Sequence, residues 1–223
     1  MSGYQDTTNR EPRFTGKVAI VTGAASGIGQ ATAYQFAREG AKLAVCGDTN
    51  LEGLEQTCAA VRETGSECFM QRVDVRNPEH VNAFVQATVE MFGTIDILVN
   101  NAGTGQFVPF PQMDMAEYDR VMDTNVRGIF LFCRAVVPIM IEKDYGKIIN
   151  VTSVMGEMAA PAQSIYGTSK AAAKMLTQGV AVDVAQHNIN VNAVAPGMVL
   201  TGLTRNMLTD EARAEFFLKR IPK

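Results

Sequence analysis

Hydrophobic positions along this chain fall into short apolar runs separated by stretches of helical spacing. Lys17–Thr22 (KVAIVT) is rich in β-branched residues and bounded by glycine, which predicts a buried strand. Ile28–Glu39 then repeats at helical spacing and stops at Gly40, a helix-termination signal. The alternation continues with a strand at Lys42–Cys46, a helix at Leu51–Thr64 closed by Gly65 and a strand at Glu67–Val73. A helix from Pro78 to about Phe92 stops at Gly93, and a strand follows at Ile95–Val99. Asp114–Glu142 predicts one long helix kinked at Pro138. Strand Lys147–Val151, alanine-rich helix Ser164–Gln186 and strand Ile189–Ala195 complete the pattern. Continuous apolar strands alternating with helices predict a doubly wound α/β fold, a six-stranded parallel sheet covered on both faces. Residues 1–14 are expected to be a polar tail and 15–223 a single domain.

Composition narrows the function. Hydrophobic residues make up 47% of the 223, enough for a sizeable core, and the formal net charge is −3. That balance argues against a nucleic-acid surface or a polybasic membrane anchor, both of which need a basic face. The N-terminus has no apolar segment of signal type. Ile129–Ile141, the most apolar stretch, is interrupted by Arg134 and Pro138 and is too short to cross a bilayer. The expectation is a soluble, cytoplasmic protein. Cys46, Cys58, Cys68 and Cys133 form no CxxC pair, and His80 and His187 stand alone, so neither a disulfide framework nor a metal site is expected.

The chemistry begins where the first strand runs into Thr22-Gly23-Ala24-Ala25-Ser26-Gly27-Ile28-Gly29 and then a helix. Glycines at such a turn let the main chain approach a pyrophosphate, and the helix aims its N-terminal amides and positive dipole end at the anion. The spacing GxxxGxG, with the motifs below in the same order, resembles the short-chain dehydrogenase/reductase family over roughly Phe14 to Pro222.

After the second strand comes Gly47-Asp48. A carboxylate there either accepts hydrogen bonds from the adenosine ribose and repels a 2′-phosphate, or caps the next helix. Residues 47–56 contain no Lys or Arg, and Ser26 stands where NADP-dependent family members often carry a basic residue. Both features favour NAD. The resemblance implies further cofactor contacts: Asp74 and Val75 at the adenine, Asn101, Ala102 and Gly103 of an Asn-Asn-Ala-Gly motif beside the ribose, and Pro196, Gly197, Val199 and Thr201 at the nicotinamide carboxamide.

Tyr166 and Lys170 lie four apart, hence on one face of the predicted helix. An ammonium beside a phenol favours the phenolate and makes tyrosine usable as a general acid/base. Ser153 lies thirteen residues earlier and matches the family's substrate-binding serine; strand alternation turns its rival Thr152 inward. Asn125 matches the fourth catalytic position, its amide expected to hold a water relaying protons from Lys170. The resemblance therefore implies hydride transfer between NAD(H) and a secondary alcohol or ketone, with Tyr166 as acid/base.

Two other readings stay open. A 3-oxoacyl carrier-protein reductase using NADPH is disfavoured by Asp48 and by the mixed charge of Glu142-Lys143-Asp144. A non-enzymatic dinucleotide-binding member is disfavoured by the complete tetrad. The substrate pocket is expected to draw on Thr104–Val108 (including Gln106 and Phe107), on the 154–163 loop, and on Leu203 and Met207 after Thr201. The family's long helices pair between copies, implying a homo-oligomer, a dimer or tetramer. Arg220-Ile221-Pro222 resembles a segment that leads into a seventh strand in the family. None is readable here, so the sixth strand is expected to be an unpaired edge and the chain to continue past Lys223.

Overall fold

The six apolar runs become six parallel strands. The computed structural model describes residues 11–202 together with Thr204, Glu215 and Lys219. β1 (Val18–Thr22), β2 (Lys42–Gly47), β3 (Cys68–Arg72), β4 (Ile97–Asn100), β5 (Gly146–Val151) and β6 (Ile189–Val194) form one sheet in the order β3-β2-β1-β4-β5-β6. Helices α1 (Gly27–Arg38), α2 (Leu51–Glu63), α3 (Pro78–Phe92), α4 (Met115–Met122), α5 (Gly128–Glu142) and α6 (Ser164–Asp183) connect them. Two apolar clusters divide the sheet's faces. One joins β1 and β2 to α1 and α2 around Ala33, Leu43 and Leu54; the other packs Phe84 of α3 and Phe132 of α5 around Ile20 and Leu98.

This strand order reverses between β1 and β4. Their diverging carboxyl ends open a crevice, which is where ligands of open α/β sheets bind. The crevice floor is stitched rather than loose. Thr22 Oγ1 accepts from the amides of Asn101 and Ala102, both at 3.0 Å, and the Asn101 side chain donates back to the carbonyls of Thr22 and Gly23.

Three expectations change. The long helix is interrupted not at Pro138 but at Asp123–Arg127, a π-helical turn between α4 and α5. The extra residue per turn rotates Asn125 fully inside, where its side chain reaches the loop after β4. The three pieces make a continuous helix Met115–Glu142, long and apolar enough to cross a membrane by length and composition, but Ile129, Phe132, Val136 and Met140 are buried in the core beside the sheet. Finally, the last residues of the expected tail are packed: the Phe14 ring lies tilted against Phe36 with centres 5.0 Å apart, and Arg13 pairs with Glu39 at 2.8 Å. β6 pairs with β5 alone among the described residues; the expectation of no strand between residues 203 and 223 beside it falls on 203, 205–214, 216–218 and 220–223, outside the described residues.

Candidate active site

The crevice holds a cleft of about 300 Å³. Its phosphate end is built by the turn between β1 and α1. Gly23 and Gly27 both take positive φ there, and a Cβ on Gly23 would lie 2.8 Å from the Ala102 Cα. Ser26, at the N-cap of α1, makes no side-chain capping bond, and the first turn carries no acidic residue. The first amides and the positive dipole end of a twelve-residue helix thus face the cleft without a capping side chain, and this cradle fits the pyrophosphate of a dinucleotide. Gly29 does not line the cleft. A Cβ on it would collide with the Asn101 amide and the Gly23 carbonyl, so its role is to let α1 pack against the loops.

The other end of the cleft lies where β5 meets α6. Ser153 caps a short 3₁₀ turn at Val154–Gly156, accepting from the Met155 amide at 3.1 Å. That turn packs directly on α6, with a Cβ on Gly156 only 2.9 Å from the Lys170 backbone. Ser153 and Tyr166 thus both line the cleft, close enough for the serine hydroxyl to act on the phenol. Thr152, by contrast, spends its hydroxyl on the Val194 carbonyl at 3.0 Å.

Lys170 is buried and donates to the Val151 carbonyl at 2.9 Å; burial pushes its pKa down to about 8. Burial also raises the Tyr166 phenol above its ordinary value, while the hydrogen bond with Ser153 pulls the other way. The expectation that Lys170 lowers the phenol is therefore corrected for the protein groups alone. Its ammonium sits 5.8 Å from the ring centre, and low dielectric disfavours both charged forms.

The chain matches the short chain dehydrogenase family model over residues 17–212. It belongs to the short-chain dehydrogenase/reductase family. Members act on alcohol and carbonyl groups with a nicotinamide dinucleotide, and this chain is an oxidoreductase of that type. It is 43% identical to 2-(R)-hydroxypropyl-CoM dehydrogenase of Xanthobacter autotrophicus, over 93% of this chain and 84% of that protein. It is 36% identical to a 3-oxoacyl-[acyl-carrier-protein] reductase of Synechocystis, over 94% and 83%. Among solved structures, NAD⁺-bound xylitol dehydrogenase superposes with a TM-score of 0.89 at 39% identity, covering 94% of this chain and 86% of the other.

In this short-chain dehydrogenase/reductase, the cleft brings together most of the residues picked from sequence. Gly23, Ser26, Gly27, Ile28 and Asp48 line the end beside α1, and Asn101, Ala102 and Gly103 its floor. Ser153, Tyr166, Lys170, Pro196, Gly197, Val199 and Thr201 line the rest. Asp48 does not cap α2; the Asn50 side chain does, accepting from the Gly53 amide at 3.0 Å.

Asp74 and Val75 are not among the lining residues. Asp74 is tied to Arg76, whose guanidinium holds its carboxyl below the ordinary range, and Val75 is buried against Gly128. Asn125 also stands behind the cleft wall. Its Oδ1 accepts from the Thr104 amide at 2.8 Å, and its Nδ2 donates to the Thr104 carbonyl and the Ser169 hydroxyl. Both amide hydrogens are committed, and the side chain anchors the loop after β4.

Gln106, expected in the substrate wall, is 1% exposed and saturated. It donates to the carbonyls of Val108 and Ala162 and accepts from the amides of Ile165 and Tyr166. It therefore clamps the N-terminus of α6, a role invisible to sequence reading because three of its four partners lie 56 to 60 residues away. Leu203 and Met207 lie outside the described residues. Among the described residues no cluster of His, Cys, Asp and Glu is placed to hold a metal.

Proposed function

We propose that this chain is an NAD-dependent dehydrogenase/reductase interconverting a secondary alcohol and its ketone, the substrate being a polyol, sugar, hydroxy acid or cyclic alcohol. The observation that carries the reading is the shared cleft: a glycine-lined helix end at one side, Ser153 and Tyr166 together in the lining at the other, and buried Lys170 behind them. In the oxidative direction Tyr166 accepts the alcohol proton at its phenolic oxygen, and Ser153 holds the substrate oxygen. When bound, the nicotinamide exchanges the hydride and, oxidised, adds a positive charge that favours the phenolate. Asp48 accepts from the adenosine ribose and disfavours a 2′-phosphate.

Two solved relatives, xylitol dehydrogenase and a Burkholderia phymatum family member, carry NAD, which supports the cofactor choice. Four free, buried thiols suit a reducing, cytoplasmic setting. Exposed Phe130 on α5 and Met175 and Val182 on α6 support assembly as a dimer or tetramer. The decisive assay follows NADH formation across polyols, sugars, hydroxy acids and hydroxysteroids. NAD is expected to be preferred over NADP by at least about tenfold, the equivalent of ~1.4 kcal/mol; equal efficiency with both would refute the role of Asp48. The relatives named as 3-oxoacyl-[acyl-carrier-protein] reductases keep a second reading in view. NADPH-dependent reduction of a 3-oxoacyl thioester as the fastest reaction would establish it.

A further inference from the structure

No cation lies near Asp48 in sequence, but the fold supplies one. Arg72, the last residue of β3, pairs in register with Gly47, the last residue of β2, and this ladder position sets Arg72 beside Asp48, which lines the cleft while Arg72 itself stands just outside its lining. The Arg72 Nε donates to the Asp48 Oδ1 at 2.9 Å. Among the described residues that is its one side-chain hydrogen bond, and the side chain is 68% exposed, so its terminal nitrogens remain available. The neighbouring guanidinium, Arg76, is committed to both carboxylate oxygens of Asp74. The adenosine end therefore carries a carboxylate–guanidinium pair rather than a bare carboxylate.

We propose that Arg72 is a specificity-determining residue that limits how strictly this cleft rejects a 2′-phosphate. The inference rests on the reading that Asp48 faces the adenosine ribose. Asp48 Oδ1 is taken by Arg72, which leaves Oδ2 for a ribose hydroxyl and so preserves NAD binding. A phosphate on that ribose meets the repulsion of Asp48 and, within a few ångströms, the attraction of a guanidinium with free donors suited to phosphate oxygens. NAD remains preferred, by a margin that Arg72 narrows. With Asp48 neutralised, the same guanidinium becomes a phosphate-binding group.

Direct binding tests this without any substrate. Titration calorimetry with NAD⁺ and NADP⁺ is run on the wild type, Arg72→Gln, Asp48→Asn and the double variant, at low and at high salt. Arg72→Gln is expected to weaken NADP⁺ about five- to tenfold and NAD⁺ less than about twofold. Asp48→Asn is expected to tighten NADP⁺ at least about tenfold, and the double variant to lose most of that gain. The Arg72 contribution is expected to shrink as salt rises. If Arg72→Gln moves both dinucleotides equally, or moves NADP⁺ by less than twofold in both backgrounds, Arg72 is only a surface ion pair and the proposal falls. If Asp48→Asn changes neither affinity, the placement of the ribose falls, and the proposal with it. Failure of the wild type to bind either dinucleotide would overturn the whole reading of the cleft.

Discussion

Tyr166 shows what a single position carries. Tyr166→Phe keeps the ring and the packing but removes the transferable proton. Turnover is expected to vanish while dinucleotide affinity holds, and a residual rate above a tenth of wild type would contradict the assignment. Lys170 makes a pH-dependent prediction. Burial lowers its folded pKa to about 8 against an ordinary value of 10.5. Between those values the unfolded chain binds more protons than the folded one, so this group makes stability rise with pH across that window and leaves a fixed penalty below it. Lys170→Met, while inactive, is therefore expected to be more stable than wild type at pH 7, by at most ~3 kcal/mol before the lost bond to Val151 is subtracted. The gain should shrink toward pH 10 in urea-unfolding measurements; a gain that grows with pH would contradict it. Gln106 was legible as a polar residue near the site but not as a clamp. Gln106→Leu strands the amides of Ile165 and Tyr166 and the half-buried carbonyls of Val108 and Ala162. It is expected to cost about 3 kcal/mol of stability and to lower kcat by more than about tenfold, with the dinucleotide Kd nearly unchanged in fluorescence titrations.

Elements were read well where periodicity was strong and less well where tertiary contacts override it. Strands and helices fall within a few residues of expectation because apolar β-branched runs and glycine stops are local signals. The π turn at Asp123–Arg127 has no such signal; it exists because Asn125 and its bonds to Thr104 and Ser169 compensate for the widened turn. The tight junction at Gly29 is an element-scale test. Gly29→Ala pushes a methyl into the Asn101 amide and the Gly23 carbonyl. It is expected to destabilise by about 1–3 kcal/mol and to weaken dinucleotide binding at least about tenfold by calorimetry. Unchanged affinity would show that the phosphate turn does not depend on this packing.

At the scale of the whole molecule, α5 and α6 leave Phe130, Met175 and Val182 exposed beyond what one sheet covers. A dimer or tetramer is expected by light scattering at micromolar concentration, and a monomer would contradict it. The sequence by itself determined the fold class, the order of strands and helices, and most of the cleft, including Ser153, Tyr166 and Lys170. Those features rest on short-range patterns: glycine spacing at one turn, a four-residue helical repeat, an apolar run. Only the tertiary structure decided that Arg72 stands beside Asp48, that Gln106 holds the N-terminus of α6, that Asp74 and Val75 stand off the cleft, and that burial raises the Tyr166 phenol. Register between strands and the desolvation of a side chain are properties of segments brought together across the fold, and no local pattern encodes them.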